Sequence, residues 1–215
     1  MQIPLRNRLR KRLHTETAML QDEVADMVYS IEPKAVLHGG TAIWRCYGGN
    51  RFSEDLDFYF PPEKDFEKNL REKASERGLS IPKYKMTENV IFAKISGGET
   101  EVRLEINLSA RKKGIPKPYE RLDGSFMDVF TLSPEELILE KISAYSGRRL
   151  IRDIYDIYHL SRLITDDSLV KKEMQKFLKE IPAPLDEKTL AALLYSGAVP
   201  SFAQMGEALN ARFSK

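Results

Sequence analysis

Cysteine is almost missing from this chain of 215 residues. The single Cys46 excludes an intramolecular disulfide and a thiolate zinc cluster, and it suits a reducing compartment. Histidine is scarce too, and His14, His38 and His159 are too scattered to make a metal motif. No apolar run approaches the roughly 18 to 20 residues that span a bilayer. The basic start, MQIPLRNRLRKRL, is not followed by the apolar stretch and small-residue cleavage site of a secretory signal. The chain therefore reads as cytoplasmic, with no membrane partner. It also lacks an excess of one charge: 34 Lys and Arg stand against 32 Asp and Glu, net +2, which excludes a uniformly basic polyanion-coating protein and leaves local basic surfaces open. What remains is a globular composition, 42% hydrophobic and 31% charged, long enough for one large domain or two small ones.

No repeat appears along the chain. Residues 6 to 30 lack Gly and Pro and carry apolar groups at helical spacing, which predicts a leading helix ended by Pro33. Ala35 to His38 then read as a short buried strand, Gly39-Gly40 as a turn, and Thr41 to Tyr47 as a short helix closed by Gly48-Gly49. Asp55 to Phe60 alternate strictly, with Asp55, Asp57 and Tyr59 on one face and Leu56, Phe58 and Phe60 on the other. A helix over 63 to 77 and strands near 81 to 87, 90 to 96 and 101 to 108 follow, the last with Arg103, Glu105 and Asn107 on its polar face. Residues 109 to 125 read as a cationic loop, and 126 to 132 as a strand. Ser133-Pro134-Glu135-Glu136 is a helix start with cap, N1 proline and first-turn acids. Beyond it the periodicity is helical, near 134 to 146, 151 to 164, 168 to 180, 187 to 196 and 201 to 213. The expected fold class is α/β (α+β): a mixed sheet with flanking helices over residues 1 to 132, then a helical domain over 133 to 215.

The densest chemistry lies in Gly39-Gly40-Thr41 followed by Arg51-Phe52-Ser53-Glu54-Asp55-Leu56-Asp57. Carboxylates at i and i+2 of a strand project from one face about 6 to 7 Å apart, a spacing at which they can share hard cations. Two magnesium ions about 3.5 to 4 Å apart can clamp both oxygens of an in-line phosphoryl displacement. A glycine pair between strand and helix lets backbone amides approach phosphate, with the Thr41 hydroxyl as a further donor. Each feature alone also fits a plainer role, a solvated polar strand face or a simple turn. Together they gain weight, because two adjacent acids on a partly buried strand repel unless a cation separates them.

The segment LHGGTAIWRCYGGNRFSEDLDFYF resembles motif I of the nucleotidyltransferase superfamily, in the form found in AbiEii/AbiGii-type toxins of abortive-infection and toxin–antitoxin systems. Glu140-Lys141 and the run Arg152-Asp153-Ile154-Tyr155-Asp156-Ile157-Tyr158-His159-Leu160 resemble that family's later motif. The matches cover residues 36 to 60 and 133 to 161. The resemblance implies a nucleotidyltransferase-like core in which Asp55 and Asp57 hold metal while Gly39, Gly40 and Thr41, with Arg51 and Ser53, bind nucleotide. Gly-Gly-Thr stands where the wider superfamily has Gly-Ser, so the phosphate grip rests on Thr41 and amides. It also implies a third carboxylate as base. Glu105 is the candidate, on the polar face of an alternating strand, where an exposed edge glutamate is the plainer reading. Lys141 shares a helical stripe with Leu137, Ile138 and Tyr145; it would reach a phosphate or simply edge a packed helix. Asp153 would lie near the active site or cap a helix beginning near Ile154, and Asp156 would be structural, paired with Arg152 or Arg149.

The function implied is a magnesium-dependent enzyme, with manganese as the alternative metal, that moves an NMP unit from an NTP onto an acceptor hydroxyl. It would be the toxin of a pair with a cognate antitoxin. A tRNA 3′ end is the favoured acceptor; a protein, a cationic antibiotic or a non-catalytic RNA- or partner-binding role are the alternatives. Basic clusters at Arg6, Arg8, Arg10, Lys11 and Arg12, at Arg111, Lys112, Lys113 and Lys117, and at Arg148, Arg149 and Arg152 suit tRNA. Residues 1 to 15, 111 to 121 and 141 to 152 carry 14 of the 34 basic residues and one of the 32 acidic ones, so near-neutrality is a cancellation between cationic segments and an acidic remainder.

Overall fold

In the computed structural model, which describes residues 3–108 and 112–214, the leading helix is interrupted. A single turn, α1 (Leu5–Arg8), is separated from α2 (Arg12–Ile31) by extended backbone at Leu9 and Lys11. The break has a packing cause: Leu5 and Leu9 are buried, and the Arg6 amide donates to the Leu122 carbonyl at 2.9 Å, which draws α1 out of line with α2. There follow β1 (Val36–His38), α3 (Gly39–Cys46), β2 (Leu56–Tyr59), α4 (Phe66–Glu76), β3 (Ser80–Met86), β4 (Val90–Gly97), β5 (Thr100–Asn107), β6 (Ile115–Glu120) and β7 (Phe126–Thr131).

The strands form a seven-stranded sheet in the order β3-β4-β5-β2-β1-β7-β6. It is mixed, with β2–β5 and β1–β7 parallel and the other pairs antiparallel. Alternation sorts its two faces. Leu56, Phe58, Leu104, Ile106, Ala93 and Ile95 are buried in one core with Val24 and Val28 of α2, Ala42 of α3 and Leu70 of α4. The opposite face carries the polar partners of those strands, Asp57, Tyr59, Arg103, Glu105 and Asn107. Arg45 of α3 is buried and donates to the carbonyls of Ala18 (2.8 Å) and Glu120 (2.9 Å), tying α3 to α2 and β6.

β6 corrects the loop expected over 109 to 125. Its prolines, Pro116 and Pro118, conceal the strand pattern, and the sheet accepts them because β6 is an edge strand, paired among the described residues with β7 alone. Arg111 of the basic cluster lies outside the described residues.

From Ser133 the chain is helical: α5 (Pro134–Arg148), α6 (Ile151–Ser161), α7 (Lys171–Lys179), a 3-10 turn Glu187–Thr189, α8 (Leu190–Leu193) and α9 (Phe202–Phe213). The Ser133–Glu136 capping box that the sequence predicts is present, with Glu136 N–H donating to Ser133 Oγ at 3.2 Å. The helix expected over 187 to 196 is shorter and begins as a 3-10 turn. A mixed sheet with flanking helices and a helical C-terminal portion is the fold class that the sequence pointed to.

By contact density the chain forms two units: residues up to Cys46 with Ser53–Leu132, and Tyr47–Phe52 with everything from Ser133. The short segment 47–52, between the Gly39-Gly40 helix and β2, thus belongs to the helical unit.

Candidate active site

In the sheet unit the site is built where β1 ends. Gly39 begins α3 with φ +70°, a left-handed conformation that favours glycine. Space makes a second demand. A Cβ at Gly39 would overlap Asp57 Oδ2 and stand 3.1 Å from its Cγ. The Asp57 carboxylate thus rests against the glycine backbone, and the turn and β2 are one packed arrangement.

β2 lies between β1 and β5, so Asp57 has a register partner on each side, His38 on β1 and Glu105 on β5. Asp55 precedes β2, and its Oδ2 accepts from Arg103 Nη2 at 2.7 Å. Arg103 lies on the polar face of β5, two residues before Glu105. Glu105 is half-buried and makes no ion pair among the described residues. The Thr41 hydroxyl, given to phosphate by the resemblance, is fully buried and donates to the Asp55 carbonyl at 2.5 Å. It clamps the start of α3 to the residue that leads into β2. The Ser53 carbonyl accepts from Gln21 Nε2 at 2.8 Å, which anchors the same approach to α2.

The donor set suits a hard divalent cation in chemistry: two neighbouring aspartates, Asp55 at the entry to β2 and Asp57 on it, with the Arg103 guanidinium drawn to Asp55. Among the described residues no group of three or more His, Cys, Asp or Glu is arranged to hold a metal by itself. A pair of aspartates is what magnesium needs when substrate phosphates and water complete its shell.

The helical unit holds a second charged cluster. Arg51 is buried; its Nε and Nη2 donate to Asp156 Oδ1 and Oδ2, each at 2.8 Å, and its Nη1 to the Phe52 carbonyl at 3.0 Å. Lys141 Nζ lies 2.8 Å from Asp156 Oδ2 and 3.5 Å from Asp153 Oδ1. Arg148 closes the series with two 2.7 Å bonds to Asp153. Burial would raise the Asp156 carboxyl, but the charges of Arg51 and Lys141 outweigh it and hold the group down at about 2. Burial likewise works against the Arg51 charge, and Asp156 raises it.

Three predicted residues, Arg51, Lys141 and Asp153, therefore share one network, while Asp55, Asp57 and Glu105 share one sheet face. Asp153 does not cap a helix, because α6 begins two residues earlier at Ile151, and the partners of Asp156 are Arg51 and Lys141 rather than Arg152 or Arg149. Arg149 is engaged with the Ala183 carbonyl. The pattern missed Arg103, although its place on the same strand face as Glu105 was visible in the alternation. It also missed how 47–52 is held: His159 Nε2 meets the Tyr47 carbonyl at 2.8 Å, Tyr195 Oη donates to the Gly49 carbonyl at 2.7 Å, and Phe52 N–H to the Leu193 carbonyl at 3.0 Å.

A family described as nucleotidyl transferase AbiEii toxin, type IV toxin–antitoxin system, matches residues 27–201. No curated protein matches the chain. Among solved structures, MenT4, a nucleotidyltransferase toxin from Mycobacterium tuberculosis, is similar with TM-score 0.66 and 19% identity over 94% of this chain and 83% of that one. JHP933 from Helicobacter pylori is similar with TM-score 0.66 and 20% identity over 95% of this chain and 91% of that one. At these identities the likeness is one of fold. No helix among the described residues is long and apolar enough to cross a membrane.

Proposed function

The chain belongs to the AbiEii family of nucleotidyltransferase toxins, and from that premise we propose that it transfers an NMP unit from an NTP to the 3′ hydroxyl of an RNA, a tRNA end being the favoured acceptor. The observation that carries the reading is the register pairing of Asp57 with Glu105 on parallel strands, beside Asp55 and against the Gly39 turn. The family implies an NTP substrate and a divalent metal. Asp55 and Asp57 would hold magnesium, which when bound neutralises charge on the triphosphate and on the attacking oxygen.

The residues of this chain then have separable tasks. Gly39 and Gly40 offer backbone close to phosphate without a side chain in the way. Glu105 accepts the proton of the acceptor hydroxyl as its oxygen bonds to the α-phosphorus, while the bond from that phosphorus to the bridging oxygen breaks and pyrophosphate leaves with the electron pair. Thr41 and Ser53 act on the nucleotide by positioning the approach to β2. Lys141, which bridges both buried aspartates, and Arg51 supply cationic charge in a network of three cations and two anions. We assign the protein to the cytoplasm, with a cognate antitoxin. Exposed Arg6, Arg10, Lys11, Lys112 and Lys113 support an RNA acceptor, since a duplex stem is gripped through its phosphates.

The test is incubation of purified protein with magnesium and each α-labelled NTP, against total RNA and against total protein. Labelled tRNA is expected, abolished by EDTA and by Asp57→Ala. Labelled protein with unlabelled RNA would replace the acceptor, and no labelled product with any NTP would remove the reading.

A further inference from the structure

The polar face of the sheet carries a graded row of side chains across five strands. Register pairing aligns Lys85 of β3, Phe92 of β4, Glu105 of β5, Asp57 of β2 and His38 of β1. The neighbouring row begins with Lys83 of β3, Lys94 of β4 and Arg103 of β5. Positive charge and an aromatic ring thus lie at one end, carboxylates in the middle, and the Gly39 turn follows His38 at the other.

From this order we infer that the β3–β4–β5 face is the acceptor platform, taking the single-stranded 3′ end of an RNA with a base stacked on Phe92 and its phosphates against Lys83 and Lys85. The inference rests on the RNA-acceptor reading above and adds the surface that recognises it. The argument is one of sides. The triphosphate belongs with the glycine turn, and Glu105 must touch the incoming hydroxyl, so the remainder of the acceptor lies beyond Glu105, away from that turn. What lies there is Phe92. Strands about 4.8 Å apart put Phe92 about 5 Å and Lys85 about 10 Å past Glu105, within the reach of two or three stacked nucleotides at about 3.4 Å each.

The side chains suit that occupant. Lys83 Nζ stands 5.1 Å and Arg103 Cζ 5.9 Å from the centre of the Phe92 ring, a cationic frame around a half-buried aromatic. Lys83 and Lys85 are exposed, and neither has a carboxylate partner among the described residues. Lys94, in contrast, is paired with Glu101 at 2.5 Å. An aromatic face flanked by unpaired lysines is the pairing of stacking surface and phosphate charge that holds single strands without a base-edge code.

The experiment uses the full chain and a short fluorescent single-stranded RNA with a free 3′ hydroxyl. Phe92→Ala should weaken its binding about 5-fold or more and raise the KM for RNA, with kcat at saturating RNA and the KM for NTP unchanged. Phe92→Trp should restore affinity, which a merely structural defect would not allow. Lys83→Ala with Lys85→Ala should weaken binding and reduce the slope of log affinity against log salt by about 1.4, the value for two single-strand phosphates. If wild-type protein labels RNA while these variants bind and use it as wild type does, the platform is refuted and RNA transfer stands. If wild type labels protein and no RNA, both fall.

Discussion

The guanidinium of Arg51 and the carboxylate of Asp156, 105 residues apart in sequence, are joined by two parallel hydrogen bonds inside the helical unit. A side chain from motif I is thus neutralised by one from the later motif, and the short segment 47–52 is fixed by it. Removing one partner leaves a buried charge unmatched. Asp156→Asn should therefore cost about 3 to 5 kcal/mol in urea unfolding. Arg51→Met combined with Asp156→Leu should cost less than the sum of the two single changes, and strict additivity in that cycle would mean that the pair is not coupled.

Acid should expose the same group. The Asp156 carboxyl is held at about 2 in the folded chain, below its ordinary 3.8. Its stabilising contribution is therefore fully present above about pH 4 and is lost as pH falls toward 2. The loss is about 2 kcal/mol, read as the difference in stability between wild type and Asp156→Asn over that window. Parallel pH curves for the two proteins would contradict it.

Gly39→Ala should damage the site more than the fold. The left-handed φ costs a residue with a Cβ about 1 to 2 kcal/mol, and the new methyl must push Asp57 aside. We expect a transfer rate down by about 100-fold, as for a misplacement on the order of 1 Å, with Tm lowered by only a few degrees. Gly98, also at positive φ but with open space around it, is the control; Gly98→Ala should show the strain without the loss of activity.

Thr41→Val tests the clamp on Asp55. It leaves the Asp55 carbonyl without its buried hydroxyl donor, at about 1 to 3 kcal/mol, and should lower kcat through the freed strand entry. Thr41→Ser should keep both. Thermal melts and initial rates decide, and a Thr41→Val protein that matches wild type in both would exclude the clamp.

The polar sheet face was legible because strand alternation has period two: spacing alone puts Asp55 with Asp57 and Arg103 with Glu105, and Ser133 shows by its cap, whereas only the resemblance singles out Glu105 among the polar residues of its strand. What could not be read from spacing was pairing between distant segments. Asp156 has arginines nearby in sequence, yet its partners are Lys141 and the distant Arg51, because tertiary packing brings the segment holding Arg51 beside α6. β6 was hidden for a local reason, since prolines mask a strand in any pattern that rewards regular donors. The segment 47–52 reads as a glycine-rich loop like any other; its attachment depends on His159, Tyr195 and Leu193, and through them on backbone carbonyls and amides that no residue type reveals.

That attachment bears on how the protein can be cut. A fragment ending at residue 132 would keep 47–52 in the chain but lose Asp156, His159 and Tyr195, leaving a cation and two backbone carbonyls without their partners. A protease nick near residue 132 is a different matter, because both pieces remain and 47–52 can still complete the helical unit without covalent linkage. Fragments 1–132 and 133–215 should accordingly be poor when expressed singly and recover when expressed together, as two halves of one fold.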